Sequence, residues 1–575
     1  MAEQIAKNET IHYEKLGIEE AAYVYSYTEF GRRKWTGLKC ILKESNHDIF
    51  PRHQLVNNHI KSLTPPIETI PEPYAGVRYQ LLPALKLTLE RQLQVLDVSN
   101  ILDSTFDFVF KVGVDGSGDH KIFHQLKNVQ TSNIIMAMIC PLKISTPSNP
   151  DFWQQPNPSS SGSHRPLYLQ LGKETEETMG YFGSLTRDCE SVEKNPVTVT
   201  LNDVQYRVNI KIRITGLDRK AANSITGLGG AYCDICPLSE SDCHDVDKID
   251  DIHIHGRRIS DTLEIVEKLQ DEKGDVIRKN KDYDVRFGVT KKPTIEKDIE
   301  SVQSLHLLLR STGWYLKFVI HEVAGVNHWS EGTEFRDIDF IKLKKQEIQQ
   351  HMLKKTALRL EFPDSGHGGT STTGNTCRRL LFNKDNLTEL CSLIPAHRRE
   401  NMLMLGKYLS VILRVISSSS KVTNIDKFEA LCREAYKFIL VNWPPIISAK
   451  KHVDQVIISP SVHKLLGHSA ELIRLNDHYG LGLVSEAGVE SSNKLLRKFR
   501  INLARKTSQT ENLTDCAQRL WLNGDPVLEA MRKMTKPTCK KCGKHIGHST
   551  LHCPKDLITV DGEEDTVVKS FIVNS

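Results

Sequence analysis

The stretch VFKVGVDGSGDH, Val109 to His120, decides how the chain is read. β-Branched and aromatic residues run through Val109, Phe110, Val112 and Val114, then meet Asp115, Gly116, Gly118 and Asp119. Such a run predicts a strand. Asp and Gly at its end have a plain explanation, since both suit turns for backbone reasons. They also have a chemical one. A carboxylate at a strand end is held rigidly, and neighbouring glycines let a metal or a phosphate approach closely.

A second stretch ends the same way: VQYRVNIKIRITGLD alternates apolar and basic residues from Val204 into Asp218. Two strands that each finish on an aspartate suit a site where carboxylates converge on a pair of divalent cations, about 3.5–4 Å apart, for phosphoryl transfer. Mg²⁺ favours such oxygen ligands. SEAGVESSNKLLRKFR supplies a third acid, Glu486 or Glu490, at the start of a helix that turns strongly basic. The two are spaced i, i+4 and share a helix face, so spacing does not choose between them. Each acid alone reads equally as a solvated surface group.

The chain has 575 residues, 39% hydrophobic and 26% charged, with net charge +5 and thirteen cysteines. No run of about 18 apolar residues and no signal-peptide pattern occurs, which predicts a soluble, intracellular protein. The cysteines are irregularly placed, against a secreted disulfide framework, and several form CxxC pairs that suggest metal or redox chemistry. KLLRKFRINLARK, from Lys494 to Lys506, holds six basic residues and no acid. Lys494, Arg497, Lys498, Arg500, Arg505 and Lys506 are thus candidate phosphate contacts. GRRKW at Gly31–Trp35, RKNK at Arg278–Lys281 and KLKK at Lys342–Lys345 read as solvated helix faces.

Along the chain, residues 17–65 read as helical, PPIETIPEP (Pro65–Pro73) as a break, and 79–101 as another helix. From Phe106 the period switches to β, with further strands at SNIIMAMICPLKI and LYLQLGKE; helical patterns dominate 296–530, interrupted by a loop at Glu361–Thr376. The whole predicts an α+β fold.

Two zinc-like sets stand out. Cys233 and Cys236 form C-x2-C, and His463 and His468 form H-x4-H, within the spacing of Cys₂His₂ sites but more than 200 residues apart. A redox pair and a buried core histidine are the plain alternatives. In CKKCGKHIGHSTLHC near the C-terminus, Cys539, Cys542, His548 and Cys553 make a compact CCHC cluster, with His545 competing for the nitrogen position. A polar tail without its own core gains most from a metal.

The ordered set resembles a known family, the Transib transposases and the recombination-activating protein one recombinases. GIEEAAYVYSYTEFGRRKW is similar to the family's pre-catalytic helices, VDGSGD and RITGLD to its two catalytic aspartates, GGAYCDIC and VHKLLGH to its split zinc site, and ESSNKLLRKFRINLARKT to the helix with its catalytic glutamate. The resemblance is colinear from about residue 17 to 531. It implies catalytic, metal-binding roles for Asp115, Asp218 and Glu490, the last standing four residues before Lys494 as in the family motif. It also implies an accessory acid at Glu174 in LGKETEE, and one zinc site from Cys233, Cys236, His463 and His468. No RING-type zinc region or nonamer-reading domain is seen upstream of residue 17, so the resemblance does not extend to recognition of element ends.

What the resemblance implies is an RNase H-like DDE core at 106–226 completed by 484–506. A helical region precedes it at 1–105, a zinc-binding helical insertion spans 227–483, helices follow at 507–534, and a CCHC tail fills 535–575. Two Mg²⁺ (or Mn²⁺) ions and structural Zn²⁺ are the expected cofactors. Double-stranded DNA, a second copy of the chain and room for a second recombinase subunit are the expected partners, in the nucleus. The expected activity is nicking at terminal inverted repeats or recombination signals, hairpin formation by transesterification, and strand transfer. The alternatives are an inactive DNA-binding relic and a two-metal endonuclease without joining activity.

Overall fold

A computed structural model describes residues 14–28, 30–45, 47–70, 75–96, 103–118, 133–173, 175–201, 203–229, 233–236, 238, 243, 258–269, 288–296, 298–299, 303–325, 338–362, 372–443, 458–535 and 563–572. The chain forms two compact units. Unit 1 is Met1–Arg213 with Gly488–Thr538, and unit 2 is Ile214–Ala487 with Cys539–Ser575.

Unit 1 opens with helices α1 (Ile18–Tyr27), α2 (Arg32–Glu44) and α3 (His53–Ser62), then strands β1 (Ile67–Ile70) and β2 (Gly76–Tyr79) and helix α4 (Leu81–Gln94). Strands β3 (Thr105–Ser117), β4 (Ile134–Ser145), β5 (Trp153–Gln154) and β6 (Arg165–Leu171) follow, then α5 (Glu176–Glu193), β7 (Val197–Leu201) and β8 (Val204–Leu217), which belongs to unit 1 as far as Arg213. The sheet order is β1-β2-β6-β4-β3-β8-β7, with β5 beside β4. Pairs β1–β2, β2–β6, β6–β4, β4–β3 and β7–β8 are antiparallel. Between β3 and β8 the contacts step forward together: the Ser104 carbonyl accepts from Arg207 N at 2.8 Å, and Asp107 accepts from Asn209 at 2.9 Å and from Lys211 at 2.8 Å. That is the sign of a parallel pair.

Two expectations change here. The PPIETIPEP break contains β1, so the region before residue 105 is not all helix: β1 and β2 extend the sheet through β6. Four-residue strands carry too short a period to be read from sequence. The strand through Asp115 also does not end there. Gly116 and Ser117 still pair with Ile135 and Ile134, because the apolar run of β4 continues opposite them and glycine takes an extended backbone freely. Near the other end, Pro141 of β4, which has no N–H to give the ladder, lies opposite Phe110, where the register shifts by a bulge.

The N-terminal helices pack on the end of unit 1's chain. Trp35 is fully buried, stacks edge-on to Phe50 with ring centroids 4.7 Å apart, and donates to the Pro51 carbonyl at 3.1 Å. Its cluster includes Ala21, Ala22 and Val56 together with Leu522 and Leu528. The last two come from α17 (Gln509–Asn523) and α18 (Pro526–Thr535), numbered after the helices of unit 2 given below.

Asp525 organises this region. It caps α18, accepting from Val527 N and Leu528 N at 3.0 Å each, with Pro526 at the first helical position. The same carboxylate takes Arg165 of β6 at 2.5 Å and Arg91 of α4 at 2.7 Å, and all three side chains are buried. Arg91 also meets Glu19 of α1, which in turn contacts His59 of α3 at 2.8 Å. Arg165 lies over Trp521 at 4.6 Å and donates to the Gly524 carbonyl at 3.0 Å. Burial pushes the Asp525 carboxyl up, but Arg165 and Arg91 outweigh it and hold it below the usual carboxylate range. Burial pushes Arg165 down to about 10, so it stays charged at neutral pH.

Unit 2 carries α6 (Arg219–Thr226), α7 (Ile259–Leu269), α8 (Ser304–Ala324), α9 (Ile338–Thr356), α10 (Gly374–Leu381), α11 (Lys384–Ser392), α12 (Ala396–Ser417) and α13 (Ile425–Asn442). Then come α14 (Pro460–His463), a π-helical turn (Lys464–His468) and α15 (Ser469–Leu475). Helix α16 (Ala487–Asn502) returns the chain to unit 1, and α19 (Glu563–Phe571) closes unit 2. The core of unit 2 is helical: α8 packs on α10 and α12, and α13 packs on α12 and on the π-helical turn. The basic segment at Arg278–Lys281 and most of the loop read at Glu361–Thr376 lie outside the described residues.

Removing the Asp525 carboxylate strands two buried guanidinium groups. Asp525→Ala should cost about 3–5 kcal/mol of unfolding free energy in denaturant titration. Because the folded carboxyl titrates below the unfolded value near 4, the wild-type contribution is complete above pH of about 4 and is lost as pH falls through the folded value. The variant should lack that acid-dependent loss.

Candidate catalytic acids and metal centre

Asp115 lies in β3 of unit 1, opposite Met136, and is half-buried. Its Oδ2 accepts from Asn493 Nδ2 of α16 at 2.6 Å. Glu490 stands one helical turn before Asn493 on α16, also half-buried, and residues spaced i, i+3 share a face. One polar pair therefore fixes the Glu490 face of α16 toward the strand that carries Asp115. The sequence reading missed Asn493, although it stands in the quoted ESSNK motif. An amide three residues from an acid on a helix was the available signal.

Close packing fixes the helix start. A Cβ on Gly488 would lie 1.8 Å from Cε1 of His164. His164 is itself buried; burial, then Lys111, drives its ring down to about 3, so it is a neutral packing group. Only glycine lets α16 seat against it.

Glu486, the rival acid, is committed elsewhere within unit 2. It is 2% exposed, and its Oε1 accepts from His306 N at 2.8 Å and contacts His306 Nδ1 at 3.0 Å. His306 is the third residue of α8, so Glu486 satisfies an open amide at the amino end of that helix.

Asp218 follows β8 directly and caps α6, its Oδ1 accepting from Ala221 N at 2.6 Å. It is half-buried, in unit 2. Glu174 lies outside the described residues, as do the tail residues Cys539, Cys542, His545, His548 and Cys553.

The six candidate phosphate contacts do not share one fate. Lys494, Arg497, Lys498 and Lys506 are exposed, and Arg497 donates to the Gly118 carbonyl at 2.8 Å, in the glycine segment after Asp115. Arg500 is a correction: it is 1% exposed and donates to Asn512 at 3.1 Å, because its position on α16 faces α17. Arg505 is exposed but neutralised, paired with Asp515 and Glu511 at 2.9 Å each.

Cys233, Cys236, His463 and His468 converge in unit 2, all buried, with one ligand atom of each within 4.8 Å of the others. The π-helical turn makes this possible. In an α-helix a residue at i+5 points about 140° away from residue i. Hydrogen bonds running i→i+5 widen the turn and bring His468 back over His463. The two Nε2 atoms are 3.0 Å apart, and Cys236 Sγ is 3.3 Å from His463 Nε2. A second layer sets the tautomer. Tyr436 donates its O–H to the Cys243 carbonyl, so its oxygen accepts from Nδ1–H of His463 at 3.1 Å. That leaves a lone pair on His463 Nε2, aimed into the cluster. Lys464 pairs with Asp234 at 2.9 Å, tying the CxxC loop to the histidine segment by a separate contact. Burial raises the Cys233 thiol, but Cys236 and the two histidines outweigh it and hold it well below the ordinary thiol value. These groups suit a tetrahedral N₂S₂ metal site, whereas half-buried carboxylates suit a hard divalent cation.

Cys233→Ser should lower the melting temperature and remove one metal equivalent per chain by elemental mass spectrometry. A normal melting temperature with metal still bound would overturn the assignment of this cluster as a metal site.

Comparison with known proteins follows the same outline. Residues 108–231 match the family described as the recombination-activation protein 1 (RAG1) RNase H domain, a span from β3 to the edge of the CxxC loop. The V(D)J recombination-activating protein 1 of Sus scrofa is 24% identical over 454 residues, covering 76% of this chain and 41% of the relative. That of Oncorhynchus mykiss is 24% identical over 455 residues, covering 76% and 40%, and that of Xenopus laevis 24% over 482 residues, covering 81% and 43%. The chain spans about two fifths of the length of the curated relatives it matches. An RNase H-type match at 108–231 and similarity along three quarters of the chain's length thus make it similar to the recombination-activating protein 1 relatives, in support of a recombination-activating protein 1 and Transib-like family.

Proposed function

We propose that the chain is a metal-dependent DNA transposase or recombinase, working on double-stranded DNA in the nucleus as a homodimer, with Asp115, Asp218 and Glu490 as its catalytic acids. The observation that carries this reading is the 2.6 Å contact between Asn493 and Asp115, which turns the Glu490 face of α16 toward the RNase H-type strand. The relatives act in V(D)J recombination by name, and pairing two DNA ends calls for two copies of the chain. A second recombinase subunit would extend the assembly.

The all-oxygen donor set fits Mg²⁺ or Mn²⁺. Bound there, two such ions would supply an activated nucleophile and charge neutralisation at the phosphate. The chain's own residues do the rest. Asp115 and Glu490 present carboxylates from a strand and a helix that cannot shift independently, because Asn493 and Gly488 fix their relation. Asp218 adds the third carboxylate and, as the cap of α6, is held by a backbone N–H. Lys494 and Arg497 on the exposed side of α16 hold the DNA backbone. The reaction is nicking by water at an element end, followed by in-line attack of the freed 3′-OH on the opposite strand to give a hairpin, and later joining to a target. Zinc is the reading for the Cys₂His₂ cluster, as structural support for the helical insertion. A second zinc at Cys539, Cys542, His548 and Cys553 would stiffen the tail, and Glu174 would assist the catalytic acids.

The test is a pair of isosteric variants on inverted-repeat DNA with Mg²⁺. Glu490→Gln should abolish nicking and hairpin formation while DNA binding survives. Glu486→Gln keeps an acceptor for His306 and should retain most activity; Glu486→Ala, which leaves that amide open, should cost about 1–3 kcal/mol of stability. Full nicking by Glu490→Gln would sink the assignment.

Replacing Cys539 and Cys542 by serine should weaken DNA binding and flatten its salt dependence with little change in core melting, whereas deleting residues 535–575 would also remove α19, whose Phe571 carbonyl accepts from Thr423 N at 2.9 Å, and lower the stability of unit 2. An unchanged salt slope would remove the tail from the DNA interface.

A further inference from the structure

Unit 1 contains a cleft of about 790 Å³ walled by α1, α2, α3, α16, α17 and α18. It is not the catalytic site. Lys498, in its wall, follows Glu490 by eight residues, which on a helix is about 12 Å along the axis and roughly 80° around it.

The lining has two chemistries. Five cations, Arg32, Lys498, Arg505, Arg519 and Arg532, face one acid, Asp515. Two of the five are already neutralised: Arg505 by Asp515 and Glu511, and Arg532 by Glu529 at 2.6 Å. Arg519 is different. It is half-buried, it stands one turn from Asp515 on α17, and that carboxylate is engaged by Arg505 through both of its oxygens. Among the described residues no carboxylate pairs with Arg519 or with Arg32. Half-burying an arginine without a counter-charge is costly unless an anion arrives.

The second chemistry is aromatic. Tyr25 lies edge-on to His53 with ring centroids 5.4 Å apart and edge-on to Trp35 at 5.7 Å, and Phe499 lines the cleft beside them. Burial, then Arg32, lowers the His53 ring, so it is a neutral surface at pH 7. Half-buried Arg519 and exposed Arg32, lining one cleft with aromatic and apolar side chains, in a volume suited to a small molecule rather than a duplex, match a nucleotide out of its stack: phosphate on the cations, base on the rings.

We propose that this cleft holds an unpaired, phosphate-bearing nucleotide of the DNA strand, a few nucleotides from the phosphate at the catalytic acids. The inference rests on the DNA-processing reading above and adds a second binding point to it. It assigns Arg519 and Arg32 to the phosphate and Tyr25 to the base.

The experiment uses the full chain and a fluorescent oligothymidylate in EDTA, read by anisotropy across a salt series, with a blunt duplex of the same length measured in parallel. Arg519→Gln should weaken single-strand binding about five- to tenfold and reduce the salt slope by about 0.7 for the one phosphate lost. Tyr25→Leu should weaken it by about five- to 100-fold with an unchanged slope, since it removes stacking and no charge. Because Tyr25 touches the Trp35 cluster, its melting temperature is measured too, and Arg519→Gln decides the outcome if Tyr25→Leu unfolds. Unchanged affinity and slope in Arg519→Gln would overturn the proposal, as would an equal loss on single strand and duplex, which would make the cleft an ordinary backbone contact. Mg²⁺-dependent nicking by the wild type, assayed alongside, separates the two readings: nicking with no effect of Arg519→Gln discards the cleft alone, and weakened binding with no nicking discards the catalytic reading alone.

Discussion

The carboxylate of Asp525 is the constraint on which the architecture of unit 1 rests. Two arginines from distant parts of the chain, Arg91 and Arg165, are buried on it, and it starts α18 as well. Buried charges are expensive, and each of these is tolerable only because the others are present. The network passes through Arg91 to Glu19 and His59, so the first helices, the sheet and the last helices of the unit share one set of charges. Hydrophobic packing would bring these elements together in several ways; the fixed hydrogen-bond geometry of two guanidinium groups on one carboxylate selects one. Gly524, beside Asp525, completes the arrangement: a Cβ there would lie 2.1 Å from the His164 carbonyl.

Unit 2 has a different fastening. Its four metal-type ligands come from segments more than 200 residues apart, joined by side chains that are all buried. The Tyr436 hydroxyl, which receives from His463 and gives to the Cys243 carbonyl, sets the imidazole before any ion is considered. The widened helical turn between His463 and His468 carries a cost in backbone regularity that a shared ligand position offsets.

Helix α16 and the residue before it show how closely a sequence can pack unlike roles. Glu486 closes the end of another helix, Gly488 gives room to His164, Glu490 and Asn493 face Asp115's strand, Arg497 reaches the Gly118 carbonyl, and Arg500 is buried against Asn512. The 100° step between residues separates these roles around the helix. Charge alone does not distinguish them, and six basic residues in thirteen looked like one surface until their faces were known.

The sequence by itself determined the α+β class, the strands through Asp115 and into Asp218 and the ordered motifs of the family, because period and motif order are written along the chain; the pairing of CxxC with HxxxxH is implied by the resemblance alone, and it is the fold that brings the four side chains together. It did not determine β1 and β2, which are too short to show a period, nor the continuation of β3 past Asp115, which depends on the strand opposite. Between Glu486 and Glu490, burial and a partner 180 residues away decided where the first of them is engaged. Likewise Arg500 reads as a phosphate contact from sequence and is buried, because whether a charge is solvated depends on which distant groups the fold brings to it, and no local pattern encodes that.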